Sequence, residues 1–245
     1  DITGISASGA IVVSTGSAGD LSASQVETTG AVTIDGAAAT TGAVTLRSVS
    51  ADGAVTVSMG AGSGALAVAT NIDTQKGVVL DTTKFGGTVD ILSLTASGAT
   101  TISVGGGDYS ASLTHIGSTF TLDASTSTTG SVTLTTVSAG GNATVSMGGG
   151  SGAIAVGSAV AGGSFAIDSS SFSGTTTLTT ITASGAVTFT LAGKDQGAFS
   201  AGVIDTDGAV SLTQSQAGSG TITMNLISAS GAVTIGLGTG TGSGN

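Results

Sequence analysis

The residues that carry most enzyme chemistry are scarce in this chain. Cysteine is absent, His115 is the only histidine and Glu27 is the only glutamate among 245 residues. No Gly-x-Ser-x-Gly elbow occurs anywhere, so the sequence does not indicate a Ser-His-Asp triad built on His115. The four basic residues are also scattered along the chain, whereas a carbohydrate-processing site needs several charged groups that converge on one face. We therefore expect no enzyme activity.

Aspartate supplies the remaining chemistry. Asp205 and Asp207 form the only Asp-x-Asp pair, and carboxylates are ligands that Ca²⁺ prefers, so these two residues are the candidate metal ligands. No other cofactor is expected.

Five aspartates each follow a short apolar run about once per repeat: Asp35, Asp81, Asp123, Asp168 and Asp205. We expect them to cap strands at solvated turns. The alternative is a column of like charges, which would be repulsive at the spacing of adjacent strands unless it is solvated or bridged by cations.

Glycine clusters at 60–64 and 148–152 resemble phosphate-binding loops only superficially. Neither is followed by the Gly-Lys-Ser/Thr of a phosphate loop, and no helix is expected beside them. We interpret both clusters as turns between strands.

Charge and hydropathy exclude two classes of partner. The formal net charge is −10, with only 4 basic residues, so nucleic acid is not an expected partner. Ser, Thr and Gly interrupt every apolar run well before the roughly 18 residues of a membrane span. A chain without cysteine and with few basic residues suits an extracellular location, and we expect it to be a section of a longer protein.

One octet template recurs six times. Its copies are SASGAIVV, SADGAVTV, TASGATTI, SAGGNATV, TASGAVTF and SASGAVTI, and their fourth-position glycines are Gly9, Gly53, Gly98, Gly141, Gly185 and Gly231. The copies lie 43 to 46 residues apart. Such self-similarity predicts a repeat architecture in which each unit packs only on its neighbours. We therefore treat residues 1–245 as one repetitive array of strands.

Glycine also recurs about every 11 residues, and short runs such as Ala43-Val44-Thr45-Leu46 alternate apolar and hydroxyl side chains. This alternation predicts half-buried strands, four to a repeat and about 22 in all. Connections this short exclude crossover helices and leave two folds. We favour a parallel β-solenoid, with glycine at its corners in conformations closed to other residues. Its core would hold small and medium residues between two sheets about 10 Å apart, and the chain has no tryptophan and one tyrosine. Tandem antiparallel β-sandwich modules are the alternative fold. A coil of 22 residues and a coil of 44 residues both fit the repeat.

The template, the Ala, Gly, Ser, Thr and Val bias and the lack of cysteine resemble the β-strand repeats of very large bacterial surface proteins. That group includes surface-layer proteins, type I secreted adhesins and autotransporter-like stalks. The resemblance implies export from the cell and a role in a coat, filament or adhesive stalk, often with calcium.

The primary functional prediction is therefore an extracellular structural protein whose repeats stack with copies of itself or with adjoining repeats. The alternative is the stalk of an adhesin that contacts a cell-surface glycan. A glycan site requires an exposed aromatic or polar cluster, and Tyr109 with Asp108 is the candidate for it.

Overall fold

The computed structural model describes residues 1–16, 20–36, 42–127, 129–192, 197–215 and 220–238. Within these ranges the chain forms strands, turns and bends, without helix. The strands are β1 (Ile5–Ala7), β2 (Ile11–Ser14), β3 (Leu21–Thr28), β4 (Val32–Gly36), β5 (Val44–Ala51), β6 (Val55–Met59), β7 (Ala65–Thr74), β8 (Val78–Thr82), β9 (Thr88–Ala96), β10 (Thr100–Val104), β11 (Tyr109–Ile116), β12 (Phe120–Ala124), β13 (Val132–Ala139), β14 (Ala143–Met147), β15 (Ala153–Ala161), β16 (Phe165–Ser169), β17 (Thr175–Ala183), β18 (Val187–Leu191), β19 (Phe199–Thr206), β20 (Val210–Gln214), β21 (Ile222–Ala229) and β22 (Val233–Gly236).

The strands form two sheets, each of 11 strands. The odd-numbered strands make one sheet in the order β1, β3, β5 to β21, which we call the odd sheet, and the even-numbered strands make the even sheet. Each strand pairs with the strand two positions along the chain, and the pairings are parallel, as in β8 with β10. The predicted β-solenoid is confirmed. The alternative of antiparallel sandwich modules is wrong, because hairpin pairing would join consecutive strands.

The pairing also decides the size of the coil. We call one odd strand and the even strand that follows it a rung. Paired residues lie from 20 positions apart, as for Thr100 and Phe120, to 23 apart, as for Val55 and Val78. A rung therefore contains about half of the 44-residue repeat, so each repeat is two rungs.

The apolar positions of the alternating pattern fill the space between the two sheets. In β5, Val44 and Leu46 are fully buried whereas Thr45 between them is exposed. The expectation of a core of small and medium residues holds for most positions, but all six phenylalanines are also buried: Phe85, Phe120, Phe165, Phe172, Phe189 and Phe199. Three of them form a cluster, since the Phe189 ring centroid lies 6.5 Å from that of Phe165 and 5.2 Å from that of Phe199.

Glycines stack in columns where the chain passes between the sheets. A Cβ atom added to Gly53 would lie 2.6 Å from the backbone of Gly30 one rung away, and one added to Gly107 would lie 1.7 Å from the carbonyl oxygen of Gly87. Gly53 lies where an odd strand passes to the even strand after it, and Gly107 lies where an even strand passes to the next odd strand. At this second type of corner the contact recurs at Gly87, Gly107, Gly130, Gly152, Gly174 and Gly197. Neither Gly53 nor Gly107 has a left-handed φ. The prediction that these corner glycines adopt conformations closed to other residues is therefore wrong at these two positions. There, the close approach of adjacent rungs leaves no room for a side chain.

Buried threonines fasten some corners to the preceding rung. The Thr74 hydroxyl donates to the carbonyl oxygen of Gly53 at 2.5 Å and accepts from the backbone N–H of Lys76 at 3.1 Å. Thr28 and Thr206 make the same donation to Gly9 and Gly185. Three of the template glycines thus mark a corner whose carbonyl group is satisfied by a side chain of the next rung.

Candidate functional site

The outward face of the even sheet carries a ladder in which carboxylates and hydroxyls alternate. Successive rungs place these residues side by side: Ser14, Asp35, Ser58, Asp81, Ser103, Asp123, Ser146, Asp168, Thr190 and Thr213. Each aspartate in this row has a hydroxyl residue on both sides. The ladder therefore contains no pair of adjacent carboxylates. Asp35, Asp81, Asp123 and Asp168 thus share one column, as the alternative prediction allowed, but on every second rung instead of on adjacent rungs.

The odd sheet repeats the alternation in part, with its acidic residues on rungs of the same series and His115 and Val160 on the other two rungs. Its ladder runs Ser6, Glu27, Ser50, Asp73, Thr95, His115, Ser138, Val160, Thr182, Asp205 and Ser228. Glu27 and Asp35 belong to one rung, and Asp73 and Asp81 to another. In these two ladders the acidic residues fall on every second rung. The 44-residue period is thus twice the structural period, and in these two ladders its two halves differ in charge.

Coulomb repulsion disfavours carboxylates on adjacent rungs of one ladder. Residues on adjacent rungs stand about 4.8 Å apart, so carboxylates on alternate rungs stand about 9.6 Å apart. Two like charges at about 4 Å repel by roughly 1 kcal/mol in water. At about 9.6 Å the separation is close to the Debye length of about 10 Å at 0.1 M salt, so most of the repulsion is screened. Sequence reasoning missed the alternation because it compared copies at 44 residues; comparison at half that spacing places VTID beside VTVS.

We expect Ser58→Asp to destabilise the fold by about 0.5–1 kcal/mol at low salt, because it places three carboxylates on adjacent rungs. Thermal unfolding followed by circular dichroism, with and without added salt, measures the effect. Ser58→Asn is the matched control of the same size without charge. Equal melting temperatures for the two variants at low salt would contradict the role of charge spacing.

Three aspartates of the even ladder also close the turn that follows their strand. Oδ1 of Asp81 accepts from the backbone N–H of Thr83 at 3.1 Å and from its hydroxyl at 2.8 Å. Asp123 accepts from the N–H of Ser125 at 2.9 Å, and Asp168 from that of Ser170 at 3.0 Å. The predicted capping role is confirmed at these three positions. The residue two positions after Asp35 lies outside the described ranges.

Asp123→Ala is expected to lower the free energy of unfolding by about 1 kcal/mol, because the N–H of Ser125 loses its acceptor. Urea titration measures the change. Asp123→Asn keeps an oxygen at the same place and should recover most of the loss. A loss of the same size in both variants would show that the carboxylate charge, and not the turn, sets the effect.

Asp205 does not belong to this series, contrary to the prediction. It lies in β19 of the odd sheet, paired with Thr182 and Ser228, and not at the end of an even strand. Thr206 beside it points inward and is buried, so Asp205 and Asp207 are both exposed. The two aspartates line a surface cleft of about 150 Å³ together with Thr182 and Ser184.

This cleft is the candidate calcium site. It brings together the two predicted carboxylates and two hydroxyls, whereas Ca²⁺ takes about six to eight oxygen ligands. No group of three or more acidic, histidine or cysteine side chains suited to a metal ion occurs in the described part of the chain. The donor set of the cleft is thus smaller than a dedicated calcium site requires, and calcium binding stays a prediction.

Tyr109 and Asp108 were predicted to form an exposed glycan-binding cluster, and this prediction is wrong for Tyr109. Tyr109 is 1% exposed and points into the core, and burial raises the pKa of its phenol well above the usual value. The phenol oxygen has no hydrogen-bond partner among the described residues. Asp108 uses Oδ1 to accept from the backbone N–H of Ser131 at 2.8 Å. The pair therefore offers no aromatic surface to a sugar.

His115 is exposed on the odd ladder between Thr95 and Ser138. Its neighbours on the adjacent rungs are hydroxyl residues, and the nearest acidic position of that ladder, Asp73, is two rungs away. A histidine with a carboxylate to orient it and a serine to activate is not assembled along this ladder.

The two glycine clusters lie between β6 and β7 and between β14 and β15, so their prediction as turns is confirmed.

Comparison with protein-family models, with curated proteins and with solved structures finds no match for this chain. No described segment forms a helix with the length and hydropathy that a membrane crossing needs.

Proposed function

We propose that this chain is part of an extracellular structural protein of a bacterium, a stiff β-solenoid that contributes to a surface layer, sheath or filament. The observation that carries the proposal is the continuity of the strand ladders. Both sheets run through 11 strands, a length of about 50 Å at about 4.8 Å per strand. Continuous ladders over a single apolar core give a rod that resists bending.

The surface chemistry supports the same role. The two ladders described above are mostly hydroxyls with carboxylates on alternate rungs, so these rows hydrate the rod without a strong local concentration of charge. Repeat proteins of this kind derive their stability from contacts between neighbouring rungs. Such a body gains length simply by adding rungs, which is what a coat or a filament requires.

Negative-stain electron microscopy of the purified 245-residue chain tests the proposal. We expect fibres or sheets, first with calcium and then with excess chelator. Assemblies that survive chelation indicate strand pairing and side-chain packing as the cohesive forces. Assemblies that dissolve indicate calcium bridges, and the double variant Asp205→Asn, Asp207→Asn then shows whether the cleft holds the ion. Short separate rods under both conditions would contradict self-assembly.

Separate rods would instead support the second candidate, the stalk of an adhesin. The observation that favours it is the pair of hydroxyl and carboxylate ladders on the side surface, which would keep a separate rod hydrated along its length. In that case a glycan contact would have to lie elsewhere than at Tyr109. The expected absence of enzyme activity is checked separately by an assay for hydrolysis of acidic polysaccharides, in which product release would contradict it.

A further inference from the structure

The strand β5 contains a break in the alternation of inward and outward side chains. Arg47 follows the buried Leu46 and faces outward, and Ser48 after it is also partly exposed, where strict alternation would bury it. The ladders on both sides of β5 pair Leu46 and then Ser48, so Arg47 is left out of the pairing. The break therefore adds one outward side chain to the face of the odd sheet, and that side chain is an arginine.

The neighbouring strand β7 enlarges this break with a β-bulge. Between the paired positions at this point β5 has one residue, Arg47, whereas β7 has two, Ala69 and Thr70. Among the described pairings, the register shifts only where β7 pairs with β5 and with β9. β-Bulges are over-represented beside active sites, where they redirect a side chain. The bulge of these ladders thus lies next to Arg47.

A surface cleft opens at the bulge. Its volume is about 320 Å³, which is within the range of roughly 300–1,000 Å³ that is usual for small-ligand sites. Side chains from successive rungs line it: Thr3, Ser24, Gln25, Arg47, Ser48 and Thr70. Three adjacent strands, β3, β5 and β7, supply all of these except the first, and Arg47 lies on the middle strand. We call this site the Arg47 cleft.

Arg47 is the only arginine of the chain, and its charge is not used within the fold. Its guanidinium makes no hydrogen bond or ion pair with any other described residue, although the chain has 14 acidic residues. The acidic residue of the neighbouring strand, Glu27, does not line the cleft, and its Oε2 accepts from Nε2 of Gln25 at 3.2 Å. A guanidinium presents a planar fork of N–H donors that matches a carboxylate with two hydrogen bonds. The cleft therefore offers a site to a carboxylate of a ligand.

The groups beside Arg47 suit hydroxyls better than further negative charge. The Ser48 hydroxyl donates to Oδ1 of Asn71 at 2.8 Å, which leaves its oxygen lone pairs to accept from a ligand. The side-chain N–H of Gln25 is directed to Glu27, which leaves Oε1 of Gln25 as an acceptor. A sulfate ion or a phosphodiester has no hydrogen to donate to these oxygens. A sugar acid carries a carboxylate and hydroxyls on one ring, so it uses both kinds of group.

The net charge of the chain limits how densely charged the ligand is. At a net charge of −10 the surface repels a polymer with a charge on every unit, such as nucleic acid. A polysaccharide in which a uronic acid alternates with a neutral sugar is repelled less, and one arginine needs only one carboxylate.

We infer that the Arg47 cleft binds an acidic polysaccharide, with the carboxylate of one uronic acid on the Arg47 guanidinium and ring hydroxyls on Gln25 and Ser48. The inference goes beyond the proposed structural function, which concerns how the rungs stack. Because the cleft lies on the outer face of the odd sheet, it attaches the side of the rod to a surface or matrix of such a polysaccharide.

Isothermal titration calorimetry of the 245-residue chain with a hyaluronan oligosaccharide tests the inference. In this probe glucuronate alternates with a neutral sugar. The matched ligand is the same oligosaccharide with its carboxylates converted to methyl esters, which keeps the ring hydroxyls and removes the charge. We expect binding of the acid, weakened by added salt, and little binding of the ester. Equal binding of the two ligands would overturn recognition of the carboxylate.

Three variants test the role of Arg47. Arg47→Gln should weaken binding of the acid about tenfold, because a charge-assisted pair of hydrogen bonds is lost. Arg47→Lys keeps the charge without the planar fork and should recover only part of the affinity. Lys76→Gln is the matched control, since it removes the same charge from an exposed corner outside the cleft. Circular dichroism checks that each variant is folded.

The remaining outcomes would overturn the inference in different ways. Equal weakening by Arg47→Gln and Lys76→Gln would show attraction by overall charge and not a site. Displacement of the oligosaccharide by an equal concentration of inorganic phosphate would show a general oxyanion site and overturn the assignment to a sugar acid. Failure of the unaltered chain to bind would overturn the site itself. Microscopy measures assembly and calorimetry measures binding, so this inference and the proposed function can fail separately.

Discussion

Gly107→Ala is expected to be among the most destabilising single substitutions in this protein. A Cβ at this position would lie 1.7 Å from the carbonyl oxygen of Gly87 and 2.6 Å from its carbonyl carbon. The neighbour is backbone inside a stacked column, so it cannot move away as the end of a flexible side chain would. We expect a loss of about 3 kcal/mol or more, because relief of the overlap requires two rungs to separate.

Gly106→Ala is the matched control, since a Cβ at the adjacent glycine has no atom within 4 Å. Thermal and urea unfolding of the two variants, followed by circular dichroism, should therefore differ greatly although the substitutions are the same. Nearly equal unfolding curves would show that the rungs can move apart at this corner and that close packing does not explain its glycines.

The second large effect is expected for Phe189→Ala. This ring is fully buried and lies between those of Phe165 and Phe199. Removal of a buried phenylalanine ring costs about 3–5 kcal/mol, from lost burial and from the cavity that remains. The solenoid should then unfold at markedly lower urea concentration. Repeat arrays can unfold in parts, so a separate early transition is an equally informative sign of the loss.

Two controls define the cause of that effect. Phe189→Leu keeps most of the apolar volume and should lose less than half as much stability as the alanine variant. Val79→Ala removes an apolar side chain that is 47% exposed on the outer face of the same sheet, and its effect should be within about 0.5 kcal/mol. A large effect of Val79→Ala would mean that the outer face is packed against something, as in a lateral assembly.

Strand content and facing could be predicted from local pattern. In Ala43-Val44-Thr45-Leu46 the alternation alone assigns Val44 and Leu46 to the core, because successive side chains of a strand point to opposite faces. The glycine spacing of about 11 residues likewise predicted the number of strands, and the short connections excluded crossover helices. These properties depend on neighbours in sequence, so the sequence contains them directly.

The prediction of an exposed Tyr109 is wrong because it did not apply this alternation to β11. Tyr109 begins β11, where the inward and outward positions are set by pairing with Val89 and Val132, both of which are buried. The local sequence YSAS from Tyr109 alternates the ring and Ala111 with Ser110 and Ser112, and this pattern places Tyr109 on the same face as Ala111. The register with two neighbouring strands shows that this shared face is the inward one.

The sequence by itself thus determined the strands, their turns, the inward faces and the repeat of about 44 residues. Tertiary structure alone decided that this repeat is two rungs, that Asp35 and Asp81 are separated by Ser58, and that Asp205 lies on the other sheet. The physical reason is that both ladders and corner columns join residues about 22 positions apart. Which residues meet at that distance depends on how the whole coil closes, whereas local preferences act over only a few residues.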